Sequence, residues 1–175
     1  MDKPILVTYA TRSGSTAEVA TMIAKTLEHD GQAVEICPLE DVGTISGYSA
    51  IVVGSPIRDR QWLPEVSDFI DAYHERLSQL PVAYFTVCKT LREDTLEHRQ
   101  IVWDYCQPLL HDFADVHPIA VGMFAGEVDY RKLPLLTVVK ARLSNIPAGD
   151  WRCWTKIEAW AHDLAFMLDT LPQPI

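Results

Sequence analysis

An apolar run, a polar loop and a helical pattern follow one another in residues 5–24, ILVTYATRSGSTAEVATMIA. The run Ile5–Val7 has the length and composition of a buried parallel strand. The loop Thr11–Thr16 carries four hydroxyl side chains in six residues. Apolar side chains then recur on one helical face, at Val19, Met22, Ile23 and Leu27. This order predicts a strand that leads through a tight polar loop into a helix, the basic unit of an α/β fold.

The polar loop of residues 11–16 has the features of an anion site. The spacing of Ser15 and Glu18 predicts a capping box, which would start the helix inside the loop. The first-turn amides of a helix lack intrahelical partners, and the helix dipole favours negative charge beside them. Gly14 would let the backbone approach a ligand closely. The pattern predicts phosphate binding, and an ordinary capped strand-to-helix turn is the alternative.

The composition is that of a globular chain with a strong negative charge. At 175 residues the chain suits one domain, residues 1–175, and 48% hydrophobic residues are enough for a substantial core. No apolar window approaches the length of a membrane span, and the N-terminus lacks the pattern of a signal peptide, so we expect a cytoplasmic protein. The net charge of −9 disfavours nucleic acid and anionic membrane surfaces as partners.

The cysteines and histidines predict no metal site. The four cysteines, Cys37, Cys88, Cys106 and Cys153, are widely spaced and form no C-x-x-C pair. We expect them to be buried small residues, because neither a zinc site nor a disulfide framework has this spacing. The six histidines show no H-x-x-x-H or H-x-H spacing.

Five apolar runs alternate with helical patterns along the chain. The predicted strands are 5–7, 33–37, 50–54, 82–88 and 118–124, and the predicted helices are 16–29, 63–77, 95–113, 133–143 and 154–171. Pro108 predicts a kink or an early stop in the third helix. This alternation predicts a parallel sheet covered on both faces, and five strands fit the doubly wound order 2-1-3-4-5. The partial alternation of the second run indicates an edge strand.

Three polar loops follow the strands at the switch point where doubly wound sheets bind ligands: Thr11–Thr16, Ser55–Trp62 and Lys89–Asp94. A phosphate-receiver domain needs acidic residues after the first and third strands. This sequence has Ala10-Thr11 and Gly54-Ser55 there, which disfavours that class. The first loop also lacks the cysteine of a small tyrosine phosphatase. The Gly-Lys-Ser/Thr of a nucleotide-hydrolysing P-loop and the pattern G-x-G-x-x-G are absent from the sequence.

The loop TRSGST of residues 11–16 resembles the [ST]-x-[ST]-G-x-T phosphate loop of flavodoxins, which holds the phosphate of FMN. Further segments are similar to the flavodoxin subfamily that includes the menaquinone-dependent protoporphyrinogen oxidases: Ile51–Arg58, Ala83–Val87, Ala125-Gly126 with Asp129–Arg131, and Asp150-Trp151 with Ile157–Ala161. The resemblance covers nearly the whole chain, including a segment of about 127–149 that ordinary short flavodoxins lack. It implies one flavodoxin-like α/β domain with a doubly wound, five-stranded parallel sheet and helices on both faces.

The resemblance implies an FMN site at the carboxyl edge of the sheet. The phosphate would be carried by Thr11, Arg12, Ser13, Gly14, Ser15 and Thr16. Two segments would flank the isoalloxazine ring, and their candidate residues are Ser55, Pro56, Ile57, Arg58, Trp62, Thr86, Val87, Cys88 and Leu91. The far side would be closed by residues 126–130, with Gly126 and Tyr130 as the candidates.

Three side chains of the second loop bear on the chemistry of the flavin. Trp62 offers an aromatic face for the ring, with packing on the following helix as the alternative. Arg58 and Arg60 would stabilise an anionic reduced flavin and raise its potential, or hold a substrate carboxylate. Solvated loop charges are the alternative for both arginines. Arg58 is the candidate catalytic residue, because it stands inside the family-like motif.

The segment 127–149 bears on membrane association. In the porphyrinogen oxidases the comparable region is expected to be basic and aromatic and to approach the membrane and quinone. Here it carries four basic residues but few aromatic ones beyond Tyr130. Together with the net charge of −9, this weakens the expectation of peripheral membrane contact. Its helix 133–143 would otherwise pack on the sheet edge or against a second copy in a homodimer.

Three functions remain open at the level of sequence. The first is an FMN-dependent oxidoreductase of protoporphyrinogen-oxidase or quinone-reductase type, acting on a porphyrin-type or quinone substrate. The second is an electron-transfer flavodoxin that docks on a redox partner protein and has no small-molecule substrate of its own. The third is a flavodoxin-like domain without FMN that acts by binding only.

Overall fold

The computed structural model describes residues 3–171, in which strands and helices alternate as predicted. The strands are β1 (Ile5–Tyr9), β2 (Val34–Pro38), β3 (Ala50–Arg58), β4 (Gln61–Trp62), β5 (Val82–Val87), β6 (Pro118–Phe124), β7 (Glu127–Val128) and β8 (Gly149–Asp150). The helices are α1 (Ser15–His29), α2 (Pro64–Leu77), α3 (Leu96–Asp112), α4 (Leu135–Leu143) and α5 (Trp154–Thr170). The predicted domain of residues 1–175 extends at both ends beyond the described residues, and its status as a single domain stays a prediction.

Five parallel strands form the main sheet in the order β2-β1-β3-β5-β6. This is the predicted doubly wound order, with β5 and β6 as its fourth and fifth strands. β1 lies between β2 and β3, so that Val7 is paired with Ile36 on one side and Val52 on the other. β2 is the predicted edge strand. The order reverses at β1, and the carboxyl ends of β1 and β3 therefore border the crevice in which such folds bind ligands.

Hydrophobic side chains cover both faces of the sheet. α1 and α5 pack on one face, where Val7 and Ile23 belong to one buried cluster. α2 and α3 pack on the other face, where Leu6 and Ile70 belong to a second cluster. Successive residues of a strand point to opposite faces, which explains why Leu6 and Val7 fall in different clusters. The apolar runs of the central strands are accounted for by this burial on both sides.

β3 is longer than predicted, and this changes the character of the segment Ser55–Trp62. The prediction ended the strand at Gly54 and made the following residues a loop, which is wrong. β3 instead continues to Arg58 and pairs antiparallel with β4. The two residues between them, Asp59 and Arg60, have φ angles of 48° and 67°, as a two-residue hairpin turn requires. The turn contains neither glycine nor asparagine, the residues by which such turns are usually predicted from sequence.

Helix α3 continues through Pro108 to Asp112, so the early stop predicted there is wrong, and the kink stays a prediction. Pro108 is exposed and lies near the end of the helix, where the loss of one amide donor disturbs few hydrogen bonds. A departure from helical geometry occurs instead in α2, at Tyr73, with φ −115° and ψ 15°.

The segment after β6 contains two short strands and a helix. β7 and β8 pair antiparallel, with Glu127 opposite Asp150 and Val128 opposite Gly149. The predicted helix of this segment is α4, which begins at Leu135. Among residues 3–171, no helix is long and apolar enough to cross a membrane.

Candidate functional site

The polar loop of residues 11–16 is a tight turn at the end of β1. The amide of Gly14 donates a hydrogen bond to Thr11 Oγ1 at 3.0 Å. Gly14 has a φ of 90°, a left-handed conformation in which a residue with a Cβ is strained. α1 begins at Ser15, and Ser15 and Thr16 are both buried. A glycine and an internal hydrogen bond thus fix the loop where α1 presents its free amides.

The predicted capping box of Ser15 and Glu18 is wrong. Gly14 occupies the N-cap position, and no side chain in the described part of the chain caps this end of α1. The Glu18 carboxylate forms ion pairs with Arg152 and Lys132 instead. The hydrogen bond from Arg152 lowers the pKa of Glu18. Ser15 lies inside the helix and two cations engage Glu18, so neither side chain of the predicted box caps α1. The first-turn amides, which have no intrahelical acceptor, stay available to an anion.

A cavity of about 400 Å³ opens beside this loop at the carboxyl edge of the sheet. Its inner wall comes from the loop and the strand ends: Ser13, Ser15, Pro56, Ile57, Arg58, Asp59, Val87, Lys89 and Gly126. Its outer wall comes from β7, α4 and the adjoining turns: Glu127, Val128, Leu133, Thr137, Lys140, Ala141, Ser144 and Ile146. The volume lies in the range usual for cofactor sites.

Seven of the predicted cofactor residues line the inner wall: Ser13, Ser15, Pro56, Ile57, Arg58, Val87 and Gly126. They come together because the carboxyl ends of parallel strands meet at one edge of the sheet. A Cβ on Gly126 would lie 2.9 Å from Val87 Cγ1, so a glycine here lets the end of β6 pack directly against β5. That these residues bind a cofactor stays a prediction.

The cavity carries both signs of charge. Arg58, Lys89 and Lys140 belong to its walls, as do Asp59 and Glu127. Burial, and to a smaller extent a neighbouring arginine, lowers the pKa of Arg58. Arg58 nevertheless keeps an exposed surface, so its guanidinium is only partly desolvated and stays charged at neutral pH. Three cations against two carboxylates suit a ligand with an anionic or electron-rich edge.

The hydroxyls of Ser55 and Thr86 are engaged inside the sheet. Ser55 Oγ donates to the Pro56 carbonyl at 2.9 Å and accepts the amide of Leu63 at 3.1 Å. Thr86 Oγ1 donates to the Ser55 carbonyl at 3.0 Å. Both residues are fully buried. The two hydroxyls hold the strand ends in place, and that the two residues flank a ligand stays a prediction.

Trp62, Cys88 and Leu91 lie in the hydrophobic core. Trp62 is 5% exposed and packs edge-on against Tyr84, with the ring centroids 5.8 Å apart. The β3–β4 hairpin causes this placement, because it turns Trp62 back onto the sheet opposite Ile57. For Trp62 this burial favours packing, the alternative to an aromatic face for the cofactor. That the three residues flank the ring stays a prediction.

Thr11 and Arg12 line a second cavity of about 430 Å³, which lies between the ends of β1 and β2 and helix α2. The Arg12 guanidinium forms an ion pair with Glu65 of α2, and both side chains are about half exposed. Thr16 is buried in the first turn of α1. The side chains of Thr11, Arg12 and Thr16 are thus not among those that line the first cavity, and their phosphate contacts stay a prediction.

Tyr130 supports the outer wall from outside the lining of the cavity. Its hydroxyl donates to the Ile146 carbonyl, and Arg142 lies 5.3 Å from the centre of its ring. These contacts hold the turn before α4 against the turn after it. Tyr130 thus helps to place α4, and its predicted contact with the cofactor stays a prediction.

A buried arginine ties the outer wall to α1. The Arg152 side chain is 5% exposed and forms ion pairs with Asp150 at 2.7 Å and with Glu18, while Glu127 lies 3.6 Å away. The ring centre of Trp154 is 4.7 Å from its guanidinium. Its hydrogen bonds raise the pKa of Arg152 and lower the pKa values of Asp150 and Glu18. We call Arg152, Asp150, Glu18 and Glu127 the Arg152 cluster.

Sequence reasoning missed Arg152 and most of the outer wall. Arg152 is 134 residues away from Glu18 in sequence, and no local pattern links the two. A signal was available in the spacing Asp-x-Arg, which occurs at both ends of the segment. In each case the aspartate accepts the backbone amide and the side chain of the arginine: Asp129 from Arg131, and Asp150 from Arg152.

The metal-ligating residue types do not cluster in residues 3–171, where no group of three or more histidine, cysteine, aspartate or glutamate side chains is placed to hold a metal ion. All four cysteines are free thiols. Cys88 and Cys106 are buried as expected, whereas Cys153 is exposed and Cys37 is intermediate.

Comparison of the sequence with models of known protein families identifies the family of this chain. A family model described as a flavodoxin domain matches residues 6–145, most of the chain. The chain belongs to the flavodoxin-domain family. This membership confirms the family resemblance seen in the loop of residues 11–16.

Two curated relatives of the flavodoxin-domain chain carry an enzyme name. The protoporphyrinogen IX dehydrogenase (quinone) of Leishmania major is 22% identical over 183 residues, which cover 97% of this chain and 78% of that protein. The protein of the same name from Escherichia coli K12 is 25% identical over 84 residues. That match spans about half of each chain, 47% of this one and 46% of the other.

Solved structures show the same fold at low sequence identity. An archaeal flavodoxin superposes with a TM-score of 0.57 at 16% identity, covering 95% of this chain and 99% of that one. The rubredoxin:oxygen oxidoreductase of Desulfovibrio gigas superposes with a TM-score of 0.56 at 16% identity, covering 96% of this chain and 37% of that one. These likenesses establish the flavodoxin fold.

Proposed function

We propose that the protein binds FMN in the cavity between the inner and outer walls and works as a redox protein. The observation that carries this proposal is that Ser13, Ser15 and the ends of β3 and β5 surround one cavity of about 400 Å³. A flavin mononucleotide needs an anion cradle at one end and a slot for a flat ring at the other. Membership of the flavodoxin-domain family favours the same cofactor.

The phosphate would bind at the N-terminus of α1. The first-turn amides from Ser15 onward lack intrahelical acceptors, and Gly14 supplies the left-handed turn before them. A Cβ added at Gly14 would meet no described atom within 4 Å, so there is room next to the turn. Ser13 and Ser15 line the adjoining cavity and bring their hydroxyls. These residues fit a dianionic phosphate.

The ring would lie between the ends of β3 and β5 and the outer wall. Pro56, Ile57 and Val87 offer apolar surface there, and Arg58 and Lys89 offer positive charge. Positive charge beside a flavin favours its reduced anionic form and raises the reduction potential. Arg58 would also be able to bind the carboxylate of a substrate, which keeps it as the candidate catalytic residue.

The proposed activity is that of an oxidoreductase of protoporphyrinogen-oxidase or quinone-reductase type, as the names of the curated relatives suggest. When bound, FMN supplies the redox chemistry. The chain itself would hold the phosphate at α1, exclude water with α4 and keep positive charge at Arg58. The four free thiols fit a reducing compartment, which supports a cytoplasmic location.

An electron-transfer role without a small-molecule substrate is the second candidate. It is favoured by the net charge of −9, which suits docking on a basic redox partner protein. The outer wall favours the enzyme, because α4 limits the access of a protein partner to the cavity from that side.

Anaerobic titration of the apoprotein with FMN tests the proposal. We expect flavin fluorescence to be quenched at a stoichiometry of one to one. Gly14→Val should weaken FMN binding by about tenfold or more, because the left-handed turn before α1 would be strained. Gly43→Val is the matched control, since Gly43 has open space around it and no positive φ. Wild-type protein that leaves FMN fluorescence unchanged would contradict both redox roles.

Arg58→Gln distinguishes the two candidates. If the protein is an enzyme, turnover of a quinone or porphyrinogen should fall by about tenfold or more, because a cation at the cavity is lost. Arg76→Gln on α2, outside the cavity, is the control. If the protein is an electron carrier, the substitution alters only the rate with its partner protein. If Arg58→Gln leaves the turnover rate unchanged, Arg58 is no longer the catalytic candidate.

A further inference from the structure

Helix α4 leaves a row of apolar side chains uncovered on its outer side. Leu135, Leu136 and Leu143 are 79%, 84% and 80% exposed, and Val139 is 47% exposed. The other side of the helix, which includes Ala141, belongs to the outer wall of the cavity. A contiguous apolar surface of this kind marks a contact site. We call these four exposed residues the α4 patch.

Three of the four cations near the α4 patch are already engaged within the chain. Arg142 lies over the ring of Tyr130. Arg131 and Lys132 form ion pairs with carboxylates of the same segment, and Lys140 belongs to the cavity wall. The patch therefore does not offer the row of uncompensated cations that an anionic lipid surface or an acidic protein would need. Its binding surface is chiefly apolar.

We propose that the α4 patch is the contact between two copies of this chain, with the two α4 helices antiparallel around a two-fold axis at Val139. Leu135 and Leu143 lie four residues to either side of Val139, so the three residues form one stripe along the helix. In an antiparallel pair, Leu135 of one copy meets Leu143 of the other, and Val139 meets its own counterpart. The stripe is self-complementary, as a two-fold symmetric contact requires.

The charge distribution favours the α4 patch over other surfaces for contact between two copies. Each copy carries a net charge of −9, so two copies repel each other over most of their surface. Residues 127–152 contain five cations and three carboxylates, several of them paired with one another. This part of the surface therefore does not share the negative charge of the rest, and two copies approach there with the least repulsion. An antiparallel pair also opposes the two helix dipoles and places the cations near the end of each α4 at opposite ends of the contact.

The size of α4 sets the expected strength of the contact. A helix of nine residues is about 13 Å long. A standard stable interface covers roughly 800 Å² on each partner, more than one short helix provides. We therefore expect a reversible dimer that forms in the micromolar range. This inference does not depend on FMN binding.

Analytical ultracentrifugation of the full chain tests the inference. Between about 1 and 200 µM the protein should change from monomer to dimer. Leu135→Glu and Leu143→Lys should each raise the dissociation constant by about tenfold or more. An equimolar mixture of the two variants should associate again, because the new carboxylate and the new ammonium face each other only in an antiparallel pair. Leu96→Glu is the matched control: this leucine of α3 is 88% exposed, and dimer formation should be unchanged.

Disulfide trapping gives a second measurement. In a Cys153→Ser background, which removes the exposed native thiol, Val139→Cys should cross-link with its own counterpart when diamide is added as oxidant. Leu135→Cys should cross-link far less, because its counterpart lies at the other end of the contact. A chain that stays monomeric at about 200 µM overturns the inference. So does a dimer that Leu135→Glu leaves intact, or binding of the monomer to vesicles with anionic lipid that Leu135→Glu abolishes.

Discussion

The inner and outer walls of the cavity face each other, yet different forces hold them. The inner wall belongs to the main sheet, in which Val53 and Phe85 are fully buried and the hydroxyls of Ser55 and Thr86 bond to the backbone. The outer wall consists of short elements that Arg152 ties to α1. Burial of apolar surface does not depend on protonation, whereas an ion cluster depends on pH and on each of its members.

Because different forces hold the two walls, each wall can be destabilised without the other. Proteins open locally where buried apolar contacts are few, at a cost below that of global unfolding. α4 meets this description, since Ala141 is its buried residue. We therefore expect the outer wall to open while the sheet remains folded, and the following predictions test this expectation.

The largest effect is expected inside the sheet, at Gly54. A Cβ on Gly54 would lie 2.0 Å from Phe85 Cζ, inside the ring's contact distance. Gly54→Val should lower the free energy of unfolding by about 3 kcal/mol or more and weaken both walls together. Urea unfolding followed by circular dichroism measures it. The control Gly47→Ala, at a position with open space, should change stability by less than about 1 kcal/mol. A Gly54→Val protein of wild-type stability would refute the close packing of β3 on β5.

Arg152→Met should destabilise the outer wall and leave the sheet largely intact. It removes the shared partner of Asp150 and Glu18, whose side chains are 43% and 47% exposed and regain water. We expect a loss of about 2 kcal/mol, below the cost of breaking a fully buried pair. Hydrogen exchange should increase in residues 127–150 while the amides of β1 and β3 stay protected. The control is Arg99→Met, which breaks an ion pair with Asp94 in which the arginine is 38% exposed, against 5% for Arg152. Equal loss of protection in sheet and outer wall would show that the walls are not independent.

Acid should open the outer wall before it unfolds the sheet. The hydrogen bonds of Arg152 lower the pKa values of Glu18 and Asp150 below their ordinary values of 4.5 and 3.8. A carboxyl group whose pKa is lowered by folding stabilises the fold above its unfolded pKa, and this stabilisation is lost as the pH falls through the folded pKa. The protection of the amides of residues 127–150 against hydrogen exchange, corrected for the intrinsic exchange rate, should thus be constant from about pH 7 to 5. It should decrease below about pH 4. In Arg152→Met this pH dependence should become weaker, and only the part due to Lys132 beside Glu18 should remain. If it persists unchanged, other groups cause it.

The smallest effect is expected at Arg12. Its ion pair with Glu65 is about half exposed, so Arg12→Gln should cost less than about 1 kcal/mol of stability. FMN affinity should change by less than about twofold, because Arg12 lines the second cavity and not the proposed cofactor site. Ser13→Ala, inside the proposed site, is the comparison and should weaken FMN more. A loss of affinity at Arg12 that exceeds the loss at Ser13 would restore Arg12 as a phosphate ligand.

Much of the site could be predicted because position in a parallel sheet follows from local patterns. Once the apolar runs 5–7, 50–54 and 82–88 are parallel strands, the segments that follow them must share one edge of the sheet. This is why Ser13, Ile57 and Val87 line the same cavity. The failures have a different cause. The β3–β4 hairpin, which places Trp62 in the core, was predicted as a loop because its turn at residues 59–60 has no glycine or asparagine to mark it.

The periodicity of apolar residues and the chemistry of the loop at residues 11–16 are local properties, so the strand order, the helices and the family follow from the chain read in order. Which side chains reach the cavity is a property of packed elements. Ser55 and Thr86 have suitable hydroxyls but bond inside the sheet, and Arg152 meets Glu18 only after α1 and β8 have been brought together. Burial and ion pairing between distant residues depend on the packing of whole elements, and no window of sequence contains that information.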